Sequence, residues 1–156
     1  MQDLDRLPII KLWNVILVPL QGDITDALAD RLRQNVLATI NESGADGLVI
    51  DVTGVWMIDS HLCSVMTNLA AAARLMGTHS IICGMSAEIA LTLQTMGVDL
   101  RGVKTALTVE EAFAILGIRP TPHKKNSLTV RIRELLGDEA QREPSRREPL
   151  ASPHQK

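Results

Sequence analysis

Tyrosine is missing from this chain, and its three aromatic residues are Trp13, Trp56 and Phe113. So few rings cannot build a stacking platform for the bases of a nucleic acid. Apolar runs are strand-length throughout, far short of the ~20 residues that cross a bilayer as a helix, so no membrane partner is expected. The first residues, Met-Gln-Asp-Leu-Asp-Arg, place no positive stretch ahead of an apolar core. No export signal is read there, and a cytoplasmic location is expected. Cys63 and Cys83 are the only cysteines; their apolar surroundings favour two buried, reduced thiols over a disulfide. His61, Cys63, His79 and Cys83 form no C-x-x-C or H-x-x-x-H spacing, so no metal site is expected. Neither G-x-x-x-x-G-K-S/T nor G-x-G-x-x-G occurs, which removes the usual nucleotide and dinucleotide cofactors.

What is present is a chain of 156 residues with 46% apolar and 22% charged residues and a net charge of −2. That size suits one domain and a tail. The small net charge conceals an asymmetry. Residues 1–118 hold seven Lys/Arg against thirteen Asp/Glu, while residues 119–156 hold nine against five. An acidic body disfavours nucleic acid as its partner.

Pro8-Ile-Ile-Lys-Leu-Trp-Asn-Val-Ile-Leu-Val-Pro-Leu20 reads as two strands joined at Trp13-Asn14, with β-branched flanks favouring strand. Asn14 tolerates the positive φ of a tight hairpin. Trp13 suits such a turn poorly, so a longer or bulged loop is expected. Pro19 points to a lost ladder bond or a position beside an edge. A first helix begins near Thr25 or Asp26, shows Leu28, Leu32, Val36 and Ile40 at four-residue spacing, and ends at Gly44. Residues 47–52 are an apolar run of the kind buried on both faces of a parallel sheet.

The next helix is expected over 60–76, with Leu62, Val65, Met66, Leu69, Ala70, Ala73 and Met76 facing the core. A strand at 80–84 follows. Ser86 is expected to cap a third helix that turns Ile89, Leu93 and Met96 inward, and Thr108 a fourth. A brief extended piece around Val103 separates those two helices. The order β-β-α-β-α-β-α-(β)-α implies an α/β fold with a mostly parallel sheet, an antiparallel N-terminal strand pair, and helices packed on the sheet.

The domain is expected to end near Ile118. Five of the seven prolines lie beyond it, but only Gly137 of the ten glycines. Leu128, Ile132, Leu135 and Leu136 suggest a short amphipathic helix at 127–137 within a basic tail over 119–156. So short a helix needs something to dock on.

One constellation carries possible chemistry. Asp59-Ser60-His61 contains every residue type of a hydrolytic triad, but adjacent residues at a helix start diverge by roughly 100°. A triad base must reach both partners, and no G-x-S-x-G elbow is present. Catalysis is therefore not expected. Ser60 reads instead as the helix N-cap, with a hydroxyl placed to accept phosphate near the positive end of the helix.

The stretches Val49-Ile-Asp-Val-Thr-Gly-Val-Trp-Met-Ile-Asp-Ser60, Arg74-Leu-Met-Gly77, Ile82-Cys-Gly-Met-Ser-Ala-Glu-Ile-Ala-Leu-Thr92 and Met96-Gly-Val-Asp-Leu100 resemble the STAS domain, the fold of anti-sigma-factor antagonists. The similarity covers about residues 7–118. Within that superfamily the chain looks closest to the small scaffold and antagonist of the bacterial stressosome, the RsbS type. The resemblance implies a non-enzymatic scaffold in general stress signalling. It would sequester a serine kinase of the histidine-kinase-like ATPase type and release it when phosphorylated on Ser60. It also implies self-association in a large assembly with STAS paralogs that carry sensory N-terminal domains. Asp23, Asp59 and His61 would contribute to partner binding around the phospho-site. Thr92 is the position nearest a second phosphorylation site used by the sensory paralogs. The alternative within the family is a free anti-sigma-factor antagonist that binds an anti-sigma kinase directly. Two departures stand out: Trp13 occupies a hairpin position where glycine is common, and the tail has no counterpart.

Overall fold

The computed structural model describes residues 7–100 and 102–118. The tail, with the helix expected at 127–137, lies outside the described residues. Five strands form one sheet in sequence order: β1 (Ile10–Leu12), β2 (Val15–Gly22), β3 (Gly47–Val55), β4 (His79–Cys83) and β5 (Lys104–Ala106). The β1–β2 pair is antiparallel and every other pairing is parallel. The helices are α1 (Asp26–Ser43), α2 (Ser60–Leu75), α3 (Ala87–Thr95) and α4 (Val109–Ile115).

Side-chain alternation along the strands divides the apolar residues between two cores. Ile16, Val18 and Leu20 of β2 and Leu48, Ile50 and Val52 of β3 pack with the buried faces of α1, α2 and α3. Val15, Val49, Ile81 and Cys83 face the other way and meet Ala112 of α4. Both faces of β3 are thus covered, which is why Leu48, Val49 and Ile50 are all fully buried. Each such side chain contributes about 1.5–3 kcal/mol relative to exposure. Burial pushes the Cys63 thiol up to about 11, with the Asp59 carboxylate adding to it. Burial, then Asp51 and Glu110, pushes Cys83 up to about 12. Both are free thiols, and both stay protonated at neutral pH.

The local signals explain the element ends. Thr25, not Asp26, caps α1 by accepting from the Leu28 N–H at 3.3 Å, and Gly44 closes that helix with φ 62. Ser86 and Thr108 cap α3 and α4 as their sequences suggest. Pro19 lies beyond the three-residue reach of β1 and beside an irregularity where the β2–β3 register shifts between Pro19 and Gln21.

Three expectations are corrected. The hairpin turn is the two-residue Trp13-Asn14 connection, with no longer loop, and Trp13 rather than Asn14 takes the left-handed backbone at φ 55. For a residue with a Cβ that conformation costs about 1–2 kcal/mol. Asn14 is instead pinned: its Nδ2 donates to Asp46 Oδ2 at 2.7 Å, and its carbonyl accepts from the Asp46 and Gly47 N–H groups. Second, α2 stops at Leu75, and Met76 is 43% exposed. Third, Met96 is 39% exposed at the end of α3, which turns only Ile89 and Leu93 into the core.

Candidate functional site

Because β2 to β5 run in one direction, their carboxyl ends share one pole of the sheet. The loops leaving that pole carry Asp23 after β2, residues 56–59 after β3, and residues 84–86 after β4. Such a rim is where ligands and partners meet an open parallel sheet. Gly22 pairs with Val55, so the loop with Asp23 starts beside the loop that leads to Ser60.

The residues 56–59 follow a simple order. Trp56 and Met57 point outward, 80% and 73% exposed, whereas Ile58 is buried at 4% and anchors the loop. Asp59 then caps α2: its Oδ1 accepts from the Leu62 N–H at 2.7 Å. Ser60 is therefore the first helical residue and not the cap expected from its sequence. Asp and Ser cap comparably well, so the choice falls to the residue with extended backbone, and Asp59 has it, at φ −103 and ψ 176. The consequence is chemical. Ser60 is exposed, and its hydroxyl makes no hydrogen bond among the described residues.

Asp59→Ala should destabilise the fold by about 1 kcal/mol, while Asp59→Ser keeps most of that stability. Denaturant midpoints measure both. An alanine variant as stable as the wild type would show that the cap contributes nothing.

Beside Ser60, the imidazole of His61 is turned toward α1. His61 Nε2 lies 3.7 Å from Asp30 Oδ2 of α1, and Asp30 also pairs with Arg33 at 3.6 Å. At 3.7 Å the His61 contact is an ion-pair distance but too long for a hydrogen bond, and this buried nitrogen has no hydrogen-bond partner. The imidazole thus lies against Asp30 of α1. The Ser60 and His61 N–H groups lie in the first turn, where helix donors have no intrahelical acceptor. Asp23 is exposed in its loop. Thr92 differs from Ser60: it is exposed on α3, but its hydroxyl donates to the Glu88 carbonyl at 2.9 Å.

The structure brings Asp23, Asp59, Ser60 and His61 to one pole and leaves Thr92 within a helix. Sequence reasoning missed Trp56 and Met57 as surface residues. The available signal was a break in alternation: three large apolar residues, Trp56, Met57 and Ile58, in succession beyond Val55, at the point where β3 ends. No group of His, Cys, Asp and Glu suited to a metal occurs among the described residues, nor does any helix long and apolar enough to cross a membrane.

Known proteins are similar to this chain. The sequence matches the STAS domain over residues 8–112. It is 30% identical over 107 residues to the RsbT co-antagonist protein RsbRA of Bacillus subtilis (strain 168), covering 68% of this chain and 39% of that protein. The chain thus spans well under half the length of that curated relative. Among solved structures it is similar to Moorella thermoacetica RsbS in a serine-to-glutamate form, with TM-score 0.66 and 28% identity over 72% of this chain and 95% of that one. A chain of the stressosome, a signal integration and transduction hub, is similar at TM-score 0.61 and 28% identity, covering 70% of this chain and 96% of that one. The five-stranded sheet with its antiparallel first pair, and a match over residues 8–112, make this chain a member of the STAS domain family.

Proposed function

We propose that this chain is a non-enzymatic, phosphorylation-switched scaffold of a cytoplasmic stress-signalling assembly. In this reading it co-assembles with STAS paralogs that carry sensory domains and sequesters a serine kinase of the histidine-kinase-like ATPase type. Phosphorylation of Ser60 releases the kinase. The observation that carries the reading is the Ser60 hydroxyl: exposed, without a hydrogen bond among the described residues, and shortly after the exposed Trp56 and Met57 in the chain. Support comes also from the relatives, one a co-antagonist of RsbT and another a chain of the stressosome.

Ser60 Oγ attacks the γ-phosphorus of ATP held by the kinase; the Oγ–P bond forms, the bond to the β,γ-bridging oxygen breaks, and the serine proton leaves to a base of the kinase. This chain supplies only the acceptor. The product carries roughly −1.5 to −2 charges next to Asp59, whose carboxylate already serves the helix end. With Asp23 and Asp59 in the same rim, added negative charge is repelled rather than clamped. The switch is accordingly one of surface potential over an apolar patch. Trp56 and Met57 provide contact area, in keeping with the tryptophan-rich hot spots of protein interfaces, and Asp23, Asp59 and His61 lie at the same pole of the sheet. Incubating the full chain with its partner kinase and ATP, then mapping the phosphate by mass, tests the assignment. Phosphate on Ser60 is expected; phosphate elsewhere with Ser60 unmodified overturns it.

A further inference from the structure

The pole of the sheet where β4 and β5 begin carries a basic cleft on its α2 side. It runs between the second half of α2 and the segment 102–104, as two adjoining depressions of about 360 and 490 Å³ that share Ala70, Arg74, Gly102 and Val103. Arg74, His79 and Lys104 stand on its walls, and no acidic residue does among those described. In an acidic body such a cluster is unexpected: residues 1–118 hold seven Lys/Arg, and two of them are here. No ion pair joins Arg74 or Lys104 to an acid among the described residues. Their charges are left for something else.

The backbone around them suits an anion. Gly102, at φ 95, lets Arg74 come close: an added Cβ would stand 3.3 Å from its Nη1, so the guanidinium rests against the Gly102 backbone. The carbonyls at the end of α2 would repel an anion if they were free. They are engaged, because the N–H groups of Met76, Gly77 and Thr78 donate to the carbonyls of Ala72, Ala73 and Arg74.

Ser80 supplies an independent observation. It lines the same cleft, and alternation along β4 puts it on the face of Ile82, toward α2. Its Oγ is buried and has no hydrogen-bond partner among the described residues. Thr78, two residues earlier, has one: its hydroxyl donates to the Ala45 carbonyl at 2.7 Å. Buried polar groups are rarely left without a partner, and a ligand oxygen at that wall gives Ser80 its own.

We propose that this cleft binds a small phosphate monoester. The oxyanion sits between Arg74 and Lys104 and accepts from Ser80 Oγ, while the organic part lies along Ala70, Ala71 and Val103. Two fixed cations favour a dianion over a monoanion, and the apolar wall favours an ester over free phosphate. The cleft lies at the pole opposite Ser60, so the proposal stands whether or not Ser60 is the phosphate acceptor.

An amide-shift titration of the full chain with phenyl phosphate, followed by NMR, tests it. Saturation is expected with a Kd of about 1 mM or tighter, with the shifts concentrated at residues 70–80 and 102–104. Inorganic phosphate, which lacks the ring, and benzoate, which carries one charge, should each bind about tenfold more weakly. Arg74→Gln and Lys104→Gln should each weaken phenyl phosphate at least about tenfold. Ser80→Ala should weaken it about three- to tenfold while the ligand-free melting temperature holds or rises, because the variant removes a buried hydroxyl that had no partner. Ser60→Ala should bind like the wild type. No saturation by about 10 mM, benzoate binding as tightly as phenyl phosphate, or Arg74→Gln and Lys104→Gln chains that bind like the wild type would overturn the proposal.

Discussion

A Ser60→Ala chain is expected to fold like the wild type, to take up no phosphate from the partner kinase, and to keep that kinase bound in the presence of ATP. The folding part follows from the cap. Because Asp59, not Ser60, accepts the Leu62 N–H, removal of the Ser60 hydroxyl leaves no donor unsatisfied, and the stability change should stay within about 0.5 kcal/mol. The functional part follows from charge. Phosphorylating the wild type should weaken kinase binding by about 100-fold or more, since like charges brought together at an interface cost several kcal/mol. Ser60→Asp carries one charge where phosphoserine carries nearly two, so it should weaken binding by less. Titration of the kinase against the four forms orders them: alanine equal to unmodified, aspartate weaker, phosphoserine weakest. Equal affinities across the series would remove the switch.

The largest effect on stability is expected from Gly84→Ala, at the end of β4. Two costs act together there. The backbone is left-handed at φ 76, and an added Cβ would collide with the Thr53 side chain and meet Asp51 Oδ1 at 2.7 Å. Thr53 has little room to yield, because its N–H and its hydroxyl both donate to Asp51 Oδ1, at 3.0 and 2.6 Å. Strained backbone and overpacking each cost about 1–3 kcal/mol, so the substitution should cost about 2–6 kcal/mol. That is a large share of a typical domain's 5–15 kcal/mol. Gly97 provides the comparison: its φ is 66, but nothing lies within 4 Å of an added Cβ. Gly97→Ala should therefore show the backbone cost alone. Adding Thr53→Ala to Gly84→Ala relieves the collision and should recover part of the loss. Denaturation midpoints that place Gly84→Ala no lower than Gly97→Ala would contradict the packing described.

Much of this was legible in the sequence because its signals were redundant. Leu32, Val36 and Ile40 repeat on one helical face, Thr25 precedes them, and Gly44 follows; all five play the structural parts their spacing implies. The apolar stretch of β3 announced a strand covered on both sides. Other features turned on differences too fine for pattern reading. Asp59 and Ser60 have similar capping preference, and only backbone geometry assigned the cap to one of them. Met76 and Met96 fit the apolar period of their helices, but each falls where its helix ends, so both are partly exposed. Which helix would lie on which face was not readable from periodicity, and α4 stands on the face opposite the other three. Trp13 looked unsuited to a tight turn on steric grounds, yet it makes one. The Asn14–Asp46 contact across 32 residues of chain holds that turn in place, and no local signal encodes it.

The most direct test of the account is to load the full chain with its partner kinase, add ATP, and follow phosphate and kinase together. Intact mass and peptide mapping read the phosphate, and size-exclusion chromatography reads the complex. The account predicts a single phosphate on Ser60, none on Thr92, and a kinase that leaves the complex as that phosphate appears. Phosphate on another residue with Ser60 unmodified, or a kinase still bound to the Ser60-phosphorylated chain, would contradict it.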